Sequence, residues 1–199
     1  MTDSILSILP EPRLVALKPN LLSRLAEVGD SVTAQNFLSI FEEGMKASLN
    51  QAFKSMEASE GSVWLLDSAI SSLTIAYNSG PQAESLTGKF HQPLGSGLIS
   101  MVFANELPFL ENEVFQNAKH DKTLDKLLHV TTVSMIAVPL YFLSNCRGVI
   151  SAVLLGDSEA PSSRRPGFSQ DDYNALKNSA STIGKLIDLW ALRRTFGLE

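Results

Sequence analysis

The sequence predicts an α+β fold, and three observations carry that prediction. Phe37, Ile40, Phe41, Met45, Leu49, Phe53 and Met56 recur at helical spacing and line one broad face of a long amphipathic helix. Two pairs of β-rich runs follow, 62–67 with 73–78 and 134–142 with 148–155, each pair joined by a short polar connection. A second long amphipathic helix then opens at Ser169 and runs to about residue 196.

In chain order, Pro10, Pro12 and Pro19 break the first segment, because proline removes a backbone donor and fixes φ. Leu21, Leu22, Leu25 and Val28 then mark a helix that stops at Gly29. Asp30 or Ser31 caps the next helix, predicted over 31–56. Gly61 marks the change to extended structure. Residues 62–67 and 73–78 read as an antiparallel hairpin, ended by Ser79-Gly80-Pro81. A polar loop leads to a short helix over Gly97–Asn105 and a short strand over Pro108–Leu110. An irregular stretch from Phe115 to Leu128 holds another helix. The two strong strands 134–142 and 148–155 are separated by Ser144-Asn145-Cys146-Arg147. Asp157–Gly167, rich in Ser, Pro and Arg, reads as a mobile loop. Ser169 and Asp172 then approximate a capping box, with Phe168 and Tyr173 as the hydrophobic staple. Tyr173, Leu176, Ala180, Ile183, Ile187 and Trp190 follow in steps of three and four, a heptad seam.

Composition narrows the function. At 199 residues and 44% hydrophobic, the chain holds one ordinary core and an extra helix or two. A net charge of −5 argues against a nucleic-acid surface, since the only paired arginines are Arg164-Arg165 and Arg193-Arg194. No apolar run approaches the roughly 20 residues of a membrane span. One cysteine, and a start without a basic signal region, predict a cytoplasmic protein.

Pro93-Leu94-Gly95-Ser96-Gly97-Leu98, Ser134 to Leu140, Arg147 to Leu155 and Phe168-Ser169-Gln170-Asp171-Asp172 occur in the order found in the GAF family of small-molecule sensor domains. The sequence resembles that family over residues 32–192. The resemblance implies a central antiparallel sheet of five or six strands. N- and C-terminal helices would cover one face, and a loop- and helix-covered pocket the other. It divides the chain into an N-terminal helical arm, 1–30, and a GAF-like domain, 31–196. It implies a regulatory sensor that binds a small molecule non-covalently and signals through its terminal helices or a partner. The alternative is a dimerisation module without a ligand. Phe90, His91, Leu98, Phe115, His120 and Ser134 are the candidate pocket residues. Neither catalysis nor a cofactor is expected. The family's bilin-binding members attach pigment through a cysteine in the segment equivalent to 115–128, which has none here. Its methionine sulfoxide reductases need several cysteines. Its cyclic-nucleotide signature is matched only by Phe168 and Asp172.

Other chemistry is sparse. Gly95-Ser96-Gly97 before a helix is either an anion contact or the family's entry turn. His91, His120 and His129 show no metal-ligand spacing, so no metal site is expected. Cys146 beside Arg147 has the neighbour of a reactive thiolate but no resolving partner, and reads as a passive residue. Ile187, Trp190, Leu192 and Phe196 are the candidate interface of a homodimer through the terminal helices. Tyr173, Leu176, Ile183 and Ile187 have the competing task of covering their own sheet.

Overall fold

The computed structural model describes residues 12–40, 43–157 and 165–198. Helix α1 spans Pro12–Asp30. Pro12 takes the first position, where a missing N–H costs nothing. The helix also runs through Pro19 instead of starting after it. Val15, whose carbonyl would have met the Pro19 N–H, is half exposed, and water can satisfy that group.

The predicted helix 31–56 is divided. Asn36 accepts from the Thr33 amide at 2.8 Å and donates to the Ser31 carbonyl at 2.6 Å, which holds 31–36 as a turn. Helix begins only at α2, Phe37–Ile40, and resumes as α3, Glu43–Ser55; Phe41 lies outside the described residues.

The strands are β1, Glu60–Asp67; β2, Ser72–Asn78; β3, His91–Pro93; β4, Phe109–Glu111; β5, Val130–Phe142; and β6, Asn145–Asp157. They form one open antiparallel sheet in the order β3-β2-β1-β6-β5-β4. Helices α4, Ala83–Leu86, α5, Gly97–Asn105, and α6, Thr123–Leu128, lie between strands, with a 3-10 turn at Val114–Gln116. Both long strands exceed their predicted lengths. The turn between them is only Leu143-Ser144, at φ 49 and 65°, the left-handed pair of a tight hairpin. Cys146 and Arg147 therefore belong to β6 and not to the turn.

Each face of the sheet carries its own core. On one, Val63, Leu65, Ile136, Val138, Leu140 and Ile150 meet Phe37, Leu49, Phe53 and the last helix, α7, Gln170–Phe196. On the other, Trp64, Ile75, Met135 and Val149 meet Leu86 of α4, Leu98 and Val102 of α5, and Val114. The capping box forms as predicted: the Ser169 hydroxyl accepts from the Asp172 amide, and Asp172 accepts from the Ser169 amide. Most of the predicted mobile loop, 158–164, lies outside the described residues.

Helix α7 is fastened to the end of β5 at two points. The bare α-carbon of Gly184 lets the helix touch the Tyr141 carbonyl. One turn on, Asp188 Oδ1 accepts from the Leu143 amide at 2.6 Å. The heptad seam mainly covers the chain's own sheet: Leu176, Ala180, Ile183 and Ile187 are all buried there. Ile187, 1% exposed, has no surface to offer a second copy, which corrects its place among the interface residues. Trp190 is half-buried, whereas Leu192 and Phe196 are exposed. Among the described residues no helix is long and apolar enough to cross a membrane.

Candidate ligand cavity

Between the sheet and the cover formed by α5 and α6 lies a partly enclosed cavity of about 60 Å³. Its floor comes from alternate residues of adjacent strands. Glu60, Ser62 and Trp64 of β1 point into it, as do Ser151, Val153 and Leu155 of β6. Asn78 closes one side; Val130, Thr132 and Met135 of β5 form the other. The roof is Leu98 and Ile99 of α5 with His120, Asp121, Leu124, Asp125 and Leu128. Pockets for drug-sized ligands hold roughly 300–1,000 Å³, so this cavity as it stands takes only a few heavy atoms.

Polar groups around the floor are partly satisfied by one another. The Asn78 amide donates to Ser62 Oγ at 3.0 Å and to Glu60 Oε2 at 3.2 Å. The Trp64 indole donates to Ser151 Oγ at 3.1 Å. Burial pushes the Glu60 carboxyl above its ordinary pKa, and the Asn78 bond offsets this only in part.

The roof is held down through Asp125. Its carboxylate accepts from the Thr132 amide at 2.8 Å and the Thr132 hydroxyl at 2.7 Å, and meets His120 Nε2 at 3.1 Å. Burial alone would raise its pKa, but the bonds from His120 and Thr132 outweigh it and hold the group below 3.8. Asp121 joins the cover to the entry of α5. It accepts from Thr123 on one oxygen, and from Gln92 at 3.1 Å and Ser96 at 3.3 Å on the other. These bonds, led by the Thr123 hydroxyl, lower its pKa to about 2. A carboxylate of the chain itself thus sits beside Ser96, the residue before α5, which leaves the glycine turn as the reading of Gly95-Ser96-Gly97.

Of the six predicted pocket residues, Leu98 and His120 line the cavity. Phe90 stands behind it, edge-on to Trp64 with centroids 6.0 Å apart. His91 is exposed, its Nδ1 2.8 Å from the Thr74 hydroxyl. Phe115 is half-buried in the 3-10 turn, away from the lining. Ser134 faces the helix side by alternation with Met135, and a bulge in β5 lies between Thr132 and Ser134. The extra residue puts Thr132 over the cavity, while Ser134 reaches the Asn112 carbonyl at 3.4 Å. Glu60, Ser62, Asn78, Thr132 and Ser151 were missed. A serine inside the apolar run Val149-Ile150-Ser151-Ala152-Val153 was the signal available for the last.

The remaining candidates have structural work. The Cys146 thiol lies in β6 against the Gly148 carbonyl, and burial pushes its pKa to about 11. A thiol so placed stays largely protonated at neutral pH. Phe168 is buried in the helix-side core. Asp172 caps α7 and pairs with Arg165 at 2.7 Å. Among the described residues no group of three or more histidine, cysteine or acidic side chains is arranged to hold a metal ion.

No protein-family model and no curated protein matches the sequence. Solved structures do. The GAF domain of a phosphoenolpyruvate-protein phosphotransferase from Acinetobacter superposes with a TM-score of 0.57 at 17% identity, over 96% of this chain and all of that one. Residues 122 to 287 of a methyl-accepting chemotaxis protein give 0.59 at 17% identity, over 85% of this chain and 97% of that one. A free methionine-R-sulfoxide reductase from Neisseria meningitidis, solved with its substrate, gives 0.52 at 21%, over 91% and 93%. With its six-stranded antiparallel sheet, terminal helices on one face and a covered cavity on the other, the chain has the GAF fold.

Proposed function

We propose that the protein is a regulatory sensor module whose cavity takes a small molecule without a covalent bond. One observation supports this above the rest: a polar-floored cavity lies under a roof that a few side-chain bonds hold to the sheet, Asp125 to Thr132 of β5 and Asp121 to Gln92 of β3. Strand β5 meets the Asp125 bond at Thr132 and, with the turn that follows it, carries α7 at Tyr141 and Leu143. A ligand that changes the roof therefore acts on the strand that seats the output helix. Ligands larger than a few atoms would have to lift α6. Structural neighbours from a chemotaxis protein and from the GAF domain of a phosphotransferase favour the regulatory reading. The high pKa of the sole cysteine favours binding over thiol chemistry.

A thermal-shift screen of small metabolites tests this. A binder at about 100 times its Kd adds about 2.7 kcal/mol, or about 5–10 °C in Tm for a domain of this size. Ser151→Leu, which fills the floor, is expected to abolish that shift. A shift that survives Ser151→Leu would place the binder elsewhere and count against the cavity.

Output through self-association has its own support. Val15, Leu17 and Leu22 of α1, with Leu189, Leu192, Phe196 and Leu198 at the end of the chain, are 39–62% exposed. These two helices lie against each other, and the other large exposed apolar side chains among the described residues are only Ile70, Leu107, Leu127 and Tyr141. Two copies meeting through these helices would need to bury about 1,200 Å² to reach the lower end of stable interfaces. Light scattering is expected to show a dimer that Leu192→Asp with Phe196→Asp converts to monomer. A wild-type monomer at tens of micromolar would refute it.

A further inference from the structure

The charge of the cavity bears on what it binds, an inference that rests on the sensor reading above. Among the described residues three carboxylates line it, Glu60, Asp121 and Asp125, and no lysine or arginine does. Asp121 and Asp125 are spent on the chain's own donors. Glu60 differs. It is 8% exposed, and its single hydrogen bond, from Asn78, goes to Oε2. Among the described residues no donor reaches Oε1 and no cation pairs with the carboxyl; Oε1 is not sealed from solvent. Its place is also reserved: a Cβ on Gly80 would lie 2.2 Å from the Glu60 carboxyl carbon.

Beside it, Ser62 and Ser151 are directly opposite one another in the β1–β6 register. Each hydroxyl already accepts, from Asn78 and from Trp64, and so keeps its own proton to donate. The floor therefore pairs an unmet anion with two free hydroxyl donors. A largely buried carboxylate without a cationic partner relies on one amide and on what solvent reaches it, and a ligand that supplies the partner gains on binding.

We propose that the cavity selects a small primary amine carrying a neutral hydrogen-bond acceptor, such as an amino alcohol or amino amide. Its ammonium group meets Glu60, and its oxygen accepts from Ser62 or Ser151. Carboxylates and phosphates are repelled. The upward displacement of the Glu60 pKa by burial agrees with a carboxyl that lacks a counter-charge.

The test uses three probes of nearly equal size: ethanolamine, ethylene glycol and glycolate. Each is titrated into the wild-type chain, with amide chemical shifts of β1 and β6 followed by NMR. The ceiling on affinity per heavy atom limits a four-atom ligand to about 40 µM at best, so the titration runs from about 0.1 to 50 mM. Ethanolamine is expected to bind at least about tenfold more tightly than ethylene glycol, and glycolate not at all. Glu60→Gln is expected to remove that tenfold preference. It should not lower Tm at neutral pH, because the buried charge it replaces has no cationic partner in the folded chain. Glycolate binding at β1 and β6 as tightly as ethanolamine would overturn the proposal and leave the sensor reading standing. Unchanged ethanolamine affinity in Glu60→Gln would overturn it in the same way. Shifts from none of the three probes would overturn it too, and the screen blocked by Ser151→Leu then decides the sensor reading separately.

Discussion

Gly184→Ala is expected to destabilise the protein by about 2–4 kcal/mol, a fall in Tm of about 6–12 °C. A Cβ at this position would lie 2.1 Å from the Tyr141 carbonyl oxygen, a backbone atom near the end of β5. Neither side can give way alone. Helix α7 is held one turn later by the Asp188–Leu143 bond, and β5 is paired along its length with β6. Helix and strand must separate, which opens the core around Leu176, Ile183 and Ile187. Gly44→Ala in α3 is the internal control, since a Cβ there meets nothing within 4 Å. It should stabilise by about 0.5–1 kcal/mol through helix propensity. Calorimetry of the two variants checks both signs. Equal, small effects would show that α7 is not seated on β5 as described.

Asp125→Ala is the second large effect, about 2–4 kcal/mol, and it is local. The substitution removes both bonds from Thr132 and the contact with His120. It leaves the Thr132 amide unpaired in a buried strand. Hydrogen exchange should therefore quicken at Thr123–Leu128 well before the sheet opens. Acid reproduces the effect in the wild type. The folded pKa of Asp125 is below its unfolded value, so the stability it contributes is present above about pH 4 and lost as pH falls through the folded value. Asp121, at about 2, follows the same sign and releases the α5 side of the cover at lower pH. Asp172, also lowered, adds the start of α7 to the same acid window. Protection at α6 that did not fall relative to β5 as the pH is lowered step by step below about 4 would contradict the Asp125 pin.

The sequence revealed the frame more readily than the site. The period of 3.6 in α7, the capping box at Ser169 and the apolar strands β5 and β6 are strong local signals. α5 matches its predicted limits, Gly97–Asn105. Helix α1 was mistaken because Pro19 reads as a break, although a solvent-facing carbonyl tolerates it. The break at 31–36 hides in one side chain, Asn36, whose two bonds compete with a helical start. The cavity was harder to see because its floor is assembled across strands. Glu60 joins Ser151 only once β1 pairs with β6, and a one-residue bulge brings Thr132 onto the cavity face. Register of that kind is a tertiary property, absent from any local pattern.

Hydrogen exchange at α6, measured with and without a compound that raises Tm, tests the central claim most directly. Binding beneath the roof predicts added protection at Thr123–Leu128 and at the β5 amides beside it, lost together in Ser151→Leu. Protection confined to the exposed faces of α1 and α7, with α6 unchanged, would contradict it.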